Sequence, residues 1–149
     1  MSNSIIRRAE STDISALVRL LGILFSIESD FKIDESKQRK GLEIMLQDDS
    51  KGCIMVAENN SQVIGMCTAQ ILVSTAEGGY VALIEDLVVD KEHRGIGIGK
   101  ELLSSIEGWA MEKGAKRLQL LADKNNISAL DFYKSIGWNS TQLICLHKK

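Results

Sequence analysis

The stretch Val88-Val89-Asp90-Lys91-Glu92-His93-Arg94-Gly95-Ile96-Gly97-Ile98-Gly99-Lys100 joins two segments of different hydrophobic period. Residues 80–89 form a nearly continuous apolar run, which predicts a buried central strand. Residues 100–113 place apolar side chains at helical spacing, and Gly114 is suited to end that helix. The glycines let the backbone turn and approach a ligand closely. The N–H groups and dipole of the helix start, together with Arg94, therefore predict a phosphate-binding site.

Two common phosphate-binding motifs do not fit this stretch. A P-loop requires Gly-Lys-Ser/Thr, whereas Gly99-Lys100 is followed by Glu101. The dinucleotide pattern Gly-x-Gly-x-x-Gly would need its third glycine at Lys100 or Leu102, and a Rossmann fold would place the loop after its first strand. A glycine-rich connection without a ligand would cost roughly 0.5–1 kcal/mol of backbone entropy per ordered glycine. The pattern favours a ligand site of another kind.

The remaining chain alternates between the periods of strands and helices. Strands are predicted at residues 4–8, 53–58, 62–74, 80–89, 116–122 and 141–147, and a hairpin turn at residues 59–61. Helices are predicted from a cap at Ser11 or Thr12 to residue 27, after a cap at Asp34, and at residues 100–113 and 126–136. The order β-α-α-β-β-β-α-β-α-β predicts an α/β fold with a mixed, mainly antiparallel sheet, in one domain covering residues 1–149.

Composition and charge restrict the class of protein. The 149 residues carry a formal net charge of -2, which argues against a nucleic-acid partner. No stretch reaches the roughly 18 apolar residues of a membrane span, and the start has no signal-peptide core. Cys53, Cys67 and Cys145 are widely spaced in apolar runs, which predicts reduced core thiols and neither a disulfide framework nor a metal site. We therefore expect a cytoplasmic protein without a membrane partner.

Two motifs in the chain resemble the GCN5-related N-acetyltransferase (GNAT) superfamily. The first motif, Arg/Gln-x-x-Gly-x-Gly/Ala after the fourth strand, is matched by Arg94-Gly95-Ile96-Gly97-Ile98-Gly99. The second, an Asn, an Ala and a Tyr closed by Gly-aromatic, is matched by Asn126, Ala129, Tyr133, Gly137 and Trp138. The opening Ile6-Arg7-Arg8-Ala9 with Asp13 is also similar to the start of the family, so the resemblance covers essentially the whole chain.

The resemblance implies a coenzyme A site and a sheet that splays between its fourth and fifth strands. Acetyl-coenzyme A would be the acyl donor, with its pyrophosphate on the glycine loop and its pantetheine arm paired to the fourth strand. The implied cofactor-binding residues are Leu87, Val88, Val89, Arg94, Gly95, Ile96, Gly97, Ile98, Gly99, Lys100, Asn126 and Tyr133.

Direct attack of a primary amine on the thioester requires a proton acceptor and a donor to the departing thiolate. Glu85 and Asp86 are the candidate bases, with Glu85 preferred, although both also suit solvated carboxylates at a strand end. Tyr133 is the candidate donor, against the alternative of a core aromatic. His93 titrates near neutrality, but its place in the loop suits a residue at the cofactor rim.

The acceptor is the least determined part of the prediction. Phe25, Glu28, Phe31 and Tyr80 are candidate lining residues, and the two phenylalanines equally suit the core. We expect the amine of a small molecule or a peptide. The alternative is a non-catalytic acyl-coenzyme A binding module, which would need no proton donor beside the sulfur. A homodimer is a further expectation from the resemblance, because dimers are common in this superfamily.

Overall fold

A computed structural model of the chain describes residues 4–28 and 30–149. The strands are β1 (Ile5–Arg8), β2 (Gly52–Asn59), β3 (Gln62–Ser74), β4 (Gly79–Val89) and β5 (Leu118–Leu120). The helices are α1 (Ile14–Ile27), α2 (Glu35–Leu46), α3 (Ile98–Glu112) and α4 (Ile127–Ser135). The chain divides into two compact units after Gln119. No helix in the part of the chain that is described is long and apolar enough to cross a membrane.

The strands form one sheet in the order β1-β2-β3-β4-β5. The first four pair antiparallel with their sequence neighbours. The chain entering β5 runs parallel to β4, since Lys116 N–H donates to Tyr80 O at 2.8 Å and Ala82 N–H donates to Arg117 O at 3.0 Å. The predicted mixed, mainly antiparallel α/β fold is confirmed.

The sheet is covered on both faces within the first unit. Met66 of β3 belongs to a core cluster with Leu17 and Leu21 of α1. Its neighbour Gly65 faces α3, where a Cβ would lie only 3.1 Å from the Leu102 side chain. Successive strand residues point to opposite faces, so α1 and α3 lie on opposite sides of the sheet. This close approach at Gly65 brings the helix that follows the glycine loop tightly against the strands.

The predicted caps of the first two helices have different outcomes. Asp34 caps α2 as expected, accepting from Ser36 N–H at 3.1 Å and Lys37 N–H at 3.2 Å. Neither Ser11 nor Thr12 caps α1, because residues 11–13 form a 3-10 turn and Asp13 is the residue before the helix. The carboxylate of Asp13 instead accepts from Glu10 N–H at 2.7 Å and from Arg7.

The predicted strand at residues 141–147 is wrong. Residues 141–149 contain no strand, and the side chains of Leu143, Ile144 and Leu146 are 88%, 81% and 83% exposed. Leu143 N–H donates to Thr141 Oγ1 at 3.3 Å, a local bond that competes with pairing in a sheet. Cys145 is exposed, so the prediction of three core thiols holds only for Cys53 and Cys67.

Candidate active site

The predicted phosphate loop lies between β4 and α3. Asp90 N–H donates to Ile64 O at 2.7 Å, which holds the end of β4 to β3. A short 3-10 turn follows, and Gly95 and Gly97 then adopt φ values of 81° and 91°. These angles lie in the left-handed region that glycine reaches without steric cost. The two glycines thus make the sharp entry into α3 possible.

The start of α3 has the features of an anion site. Gly97 is the residue before the helix, and no side chain caps it. The first N–H groups of a helix have no acceptor within the helix, so those of residues 98–100 point toward the loop. A Cβ built on Gly95 or Gly97 would meet nothing within 4 Å. The loop therefore leaves open space beside the start of α3, and a pyrophosphate group fits this arrangement.

Arg94 is held beside this loop by the end of β4. Its Nε donates to Val89 O at 2.8 Å, and the side chain is exposed. The bond uses Nε and leaves the two terminal nitrogens of the guanidinium to face a ligand. His93 is half-buried on the turn before Arg94.

The two candidate bases lie at a β-bulge. Met66 is opposite Val88 and Thr68 is opposite Glu85, so a single residue of β3 faces Asp86 and Leu87 of β4. Asp86 adopts φ of 55° within the strand. An extra residue of this kind bends a strand and redirects its side chains.

The bulge brings both carboxylates to one face of the sheet. Side chains directly opposite each other in an antiparallel pair share a face, so Glu85 shares the face of Thr68. Asp86 reaches that same face, because its Oδ2 lies 3.0 Å from Thr68 Oγ1. Thr68 is two residues from Met66, and so this is the face covered by α1.

Burial changes the protonation of these carboxyls. The pKa of Glu85 is raised, first by burial and second by the nearby charge of Asp86. Burial also raises the pKa of Asp86, against the opposing effect of a hydrogen bond from Thr68. A base with a raised pKa holds a proton more strongly, so Glu85 is better suited than an exposed glutamate to accept one from an amine.

The carboxyl half of β4 extends beyond β5. The bonds at Tyr80 and Ala82 set the two chains side by side, and β5 ends at Leu120, three residues after Arg117. Strand β4 continues for seven residues after Ala82, to Val89. The backbone of Leu87, Val88 and Val89, predicted to contact the cofactor, therefore lies past the end of the short strand.

The second predicted motif lies in the second unit and is ordered locally. Asn126 caps α4, its Oδ1 accepting from Ala129 N–H at 3.1 Å. Tyr133 packs against Phe132 and Trp138, with ring centroids at 5.4 Å and 6.3 Å. Gly137 ends the helix with φ of 99°. The spacing of the motif thus reflects a capped helix and an aromatic cluster.

The predicted acceptor residues fall into two groups. The rings of Phe25 and Phe31 pack together, with centroids 5.5 Å apart. Phe25 also packs against the core, whereas Phe31 is 42% exposed. Glu28 is the residue that ends α1. Tyr80 lies on a different element, at the exposed start of β4.

Thr68 lies beside the two candidate bases and was not identified from the sequence. It is 1% exposed, and its hydroxyl contacts both Glu85 O and Asp86 Oδ2. The available signal was a lone hydroxyl in the apolar run of residues 63–69. A buried hydroxyl needs a hydrogen-bond partner, but the run alone did not indicate which residue that partner is.

Comparison with known proteins identifies the family. The model of the acetyltransferase (GNAT) family matches residues 21–138. The thialysine N-epsilon-acetyltransferase of Bos taurus is 31% identical over 150 residues, covering 92% of this chain and 85% of that protein. An uncharacterized N-acetyltransferase of Methanocaldococcus jannaschii is 28% identical over 101 residues, and this match spans 67% of the chain but only 44% of the relative.

A solved structure supports the same fold. A predicted acetyltransferase of Clostridium acetobutylicum, crystallised with acetyl-coenzyme A, superposes with a TM-score of 0.81 at 21% identity, covering 97% of this chain and 96% of that one. At this identity the likeness shows the fold alone. Because the family model covers most of the chain, including the glycine loop and the Asn126–Trp138 motif, the chain belongs to the acetyltransferase (GNAT) family, the class of N-acetyltransferases that its motifs predicted.

Proposed function

We propose that this protein transfers an acetyl group from acetyl-coenzyme A to a primary amine of a small molecule or peptide. The observation that carries the proposal is the pair of left-handed glycines at the uncapped start of α3. The first N–H groups of α3 would bind the pyrophosphate, with Arg94 adding a charge-assisted contact.

The pantetheine arm would lie along the part of β4 that extends beyond β5. Backbone groups of Leu87, Val88 and Val89 would pair with its amides as a further strand would. An arm bound along β4 in this way would run from the glycine loop toward the bulge at Asp86. The thioester would then lie near the carboxylates.

Glu85 would accept the proton of the attacking amine, directly or through a water molecule. Its raised pKa suits this role, because an amine must lose its proton to attack. As the nitrogen attacks the thioester carbon, the carbon–sulfur bond breaks and coenzyme A leaves as a thiolate. Tyr133 would give that thiolate a proton.

Transfer through a cysteine is less suited to this site. Cys67 is fully buried at the bulge, and burial raises the pKa of its thiol far above neutrality. Burial also raises the pKa of Cys53, to about 11. Neither thiol supplies the thiolate that a covalent acetyl intermediate requires, which supports direct attack.

The acceptor would approach on the face of the sheet covered by α1. Both carboxylates share that face, and Phe25 and Phe31 lie at the end of α1 and in the segment after it. The similarity to a thialysine N-epsilon-acetyltransferase favours an acceptor that carries a flexible primary amine. Such an amine would place its apolar stem on these rings and its nitrogen near Glu85.

An amine screen tests the proposal. Purified protein with acetyl-coenzyme A would be assayed for thiol release with thialysine, lysine, aminoglycosides and short peptides. We expect at least one amine to raise thiol release above the rate without acceptor, with the acetylated product seen by mass spectrometry. Coenzyme A binding with no stimulation by any amine would instead indicate the non-catalytic binding module. Absence of coenzyme A binding would overturn both functions.

A further inference from the structure

We propose that Thr68 and Asp86 form a positioning pair that holds the β4 bulge and thereby aims Glu85 at the reacting amine. The role rests on the acetyl transfer proposed above. It assigns Asp86 to alignment and leaves the proton transfer to Glu85. The pair consists of one buried hydroxyl on β3 and one carboxyl inside the bulge of β4.

The first support is the hydrogen-bond geometry of Thr68. Its Oγ1 lies 3.1 Å from Glu85 O and 3.0 Å from Asp86 Oδ2. A hydroxyl has one hydrogen to donate and two lone pairs to accept with. Thr68 therefore donates its single hydrogen to one of these two oxygens at a time, and both lie within its reach. One side chain thus ties the backbone before the bulge to the side chain within it.

The second support is the backbone conformation of Asp86. The other non-glycine residues with positive φ among those described, Asn60 and Ser61, lie in the exposed hairpin turn between β2 and β3. Asp86 adopts φ of 55° inside a strand, a strained conformation for a residue with a side chain unless its surroundings hold it. The Thr68 hydroxyl supplies a buried contact to the side chain of this strained residue.

The third support is the position of Glu85 relative to the bulge. Without the extra residue, Asp86 would point to the face opposite Glu85. The bulge brings Asp86 back to the face of Thr68 and changes the direction of β4 directly after Glu85. A displacement of about 1 Å at a reacting group can reduce the rate about 100-fold, so a relaxed bulge would affect turnover before it affected cofactor binding.

Substitutions at Thr68 test the pair. Thr68→Val keeps the shape and removes the hydroxyl, Thr68→Ser restores the hydroxyl, and Thr75→Val makes the same change at an exposed turn residue. We expect Thr68→Val to lower kcat about 10-fold or more, with the coenzyme A Kd within about twofold of wild type. Thr68→Ser should recover most of the loss, and Thr75→Val should match wild type.

Substitutions at the carboxyls separate positioning from proton transfer. Asp86→Asn keeps a hydrogen-bond acceptor and a donor for the Thr68 hydroxyl. We expect it to lower kcat no more than about threefold. It should also keep the fall of kcat at low pH, the acid limb of the pH–kcat profile. Asp86→Ala removes those partners and should behave like Thr68→Val. Glu85→Gln should remove the acid limb. All profiles would use one amine, at temperatures well below each variant's Tm.

Each of these results supports or overturns the positioning role of Thr68 and Asp86. The positioning role fails if Thr68→Val turns over like wild type, or if Asp86→Asn loses the acid limb, which would make Asp86 the base. It also fails if Thr68→Val loses kcat only in proportion to the fraction unfolded. A wild-type protein that acetylates no amine removes the proposed function and the positioning role together. Normal wild-type turnover with an unaffected Thr68→Val removes the positioning role alone.

Discussion

The glycine loop and the β4 bulge both depend on left-handed backbone conformations, but they reach them in opposite ways. In the loop, Gly95 and Gly97 adopt these angles at no steric cost, and open space surrounds them. In the bulge, Asp86 adopts the angle despite its side chain, next to the buried hydroxyl of Thr68. The glycines leave open space at the loop, whereas the side chains at the bulge place two carboxyls beside a buried hydroxyl.

The largest expected effect comes from closing the open space in the loop. Gly97→Glu should weaken coenzyme A binding by at least about 100-fold, because it strains a φ of 91° and adds a negative charge at the helix start. Calorimetric titration with coenzyme A measures this. Gly78→Glu is the matched control, since Gly78 has φ of 66° and nothing within 4 Å of a Cβ, but lies in a distant turn. Equal affinity of both variants would contradict the phosphate-loop assignment.

The second effect tests the chemistry at the bulge. Glu85→Gln should lower kcat about 100-fold, the usual contribution of a general base, and leave coenzyme A binding intact. In the wild type the rate should fall as the pH decreases through the pKa of Glu85, because the protonated form accepts no proton. Since burial and Asp86 raise this pKa, the fall should occur at a higher pH than for an exposed glutamate. An unchanged pH–kcat profile in Glu85→Gln would assign the base elsewhere.

The third effect concerns the motif in the second unit. Tyr133→Phe removes only the hydroxyl, and we expect kcat to fall about 10-fold, at the low end of general-acid contributions. The coenzyme A Kd should stay within about twofold, since the ring still packs with Phe132 and Trp138. Steady-state kinetics with a confirmed amine gives the kcat, and titration gives the Kd. Unchanged turnover would leave Tyr133 as an aromatic anchor of α4.

The smallest effect is on stability and again concerns the bulge. The folded-state pKa of Asp86 is raised above its unfolded value. Above the folded-state pKa the charged carboxyl therefore destabilises the folded protein, and this cost disappears as the pH falls below the unfolded value. Asp86→Asn should melt higher than wild type at pH 8, on the order of 2–4 °C for about 1 kcal/mol.

Melting curves at several pH values supply the control for this last prediction. The difference between Asp86→Asn and wild type should shrink as the solution becomes acidic, because the wild-type carboxyl is then neutral in both states. A difference that is independent of pH would show that the substitution acts through packing or strain instead.

The fold was predictable from the chain where local pattern and tertiary environment agree. Residues 62–74 form a strand with the predicted bounds, and Asp34 caps its helix, because alternation and capping act over a few residues. The start of α1 was not predictable, because Asp13 is held by Arg7 and Glu10. The last strand was not predictable either, since a strand forms only where a neighbour takes up its hydrogen bonds.

Some residues of the candidate site could also be identified from the sequence, and others could not. Gly95 and Gly97 were identifiable because their residue type itself reports an unusual backbone. Glu85 and Asp86 were identified as candidates, but the residue types alone did not show that a bulge brings both carboxylates to one face. Thr68 was missed, since its partner lies 18 residues away in the sequence.

The sequence by itself determined the family, the element order as far as α4 and the position of the glycine loop, because these depend on residue types at fixed local spacing. The tertiary structure decided that β4 carries a bulge, that both carboxylates share the face of Thr68, and that burial raises their pKa values. These properties arise from strand register and burial, which bring distant residues together. The physical reason is that a hydrogen bond across a sheet depends on distance in space, while a motif records distance along the chain.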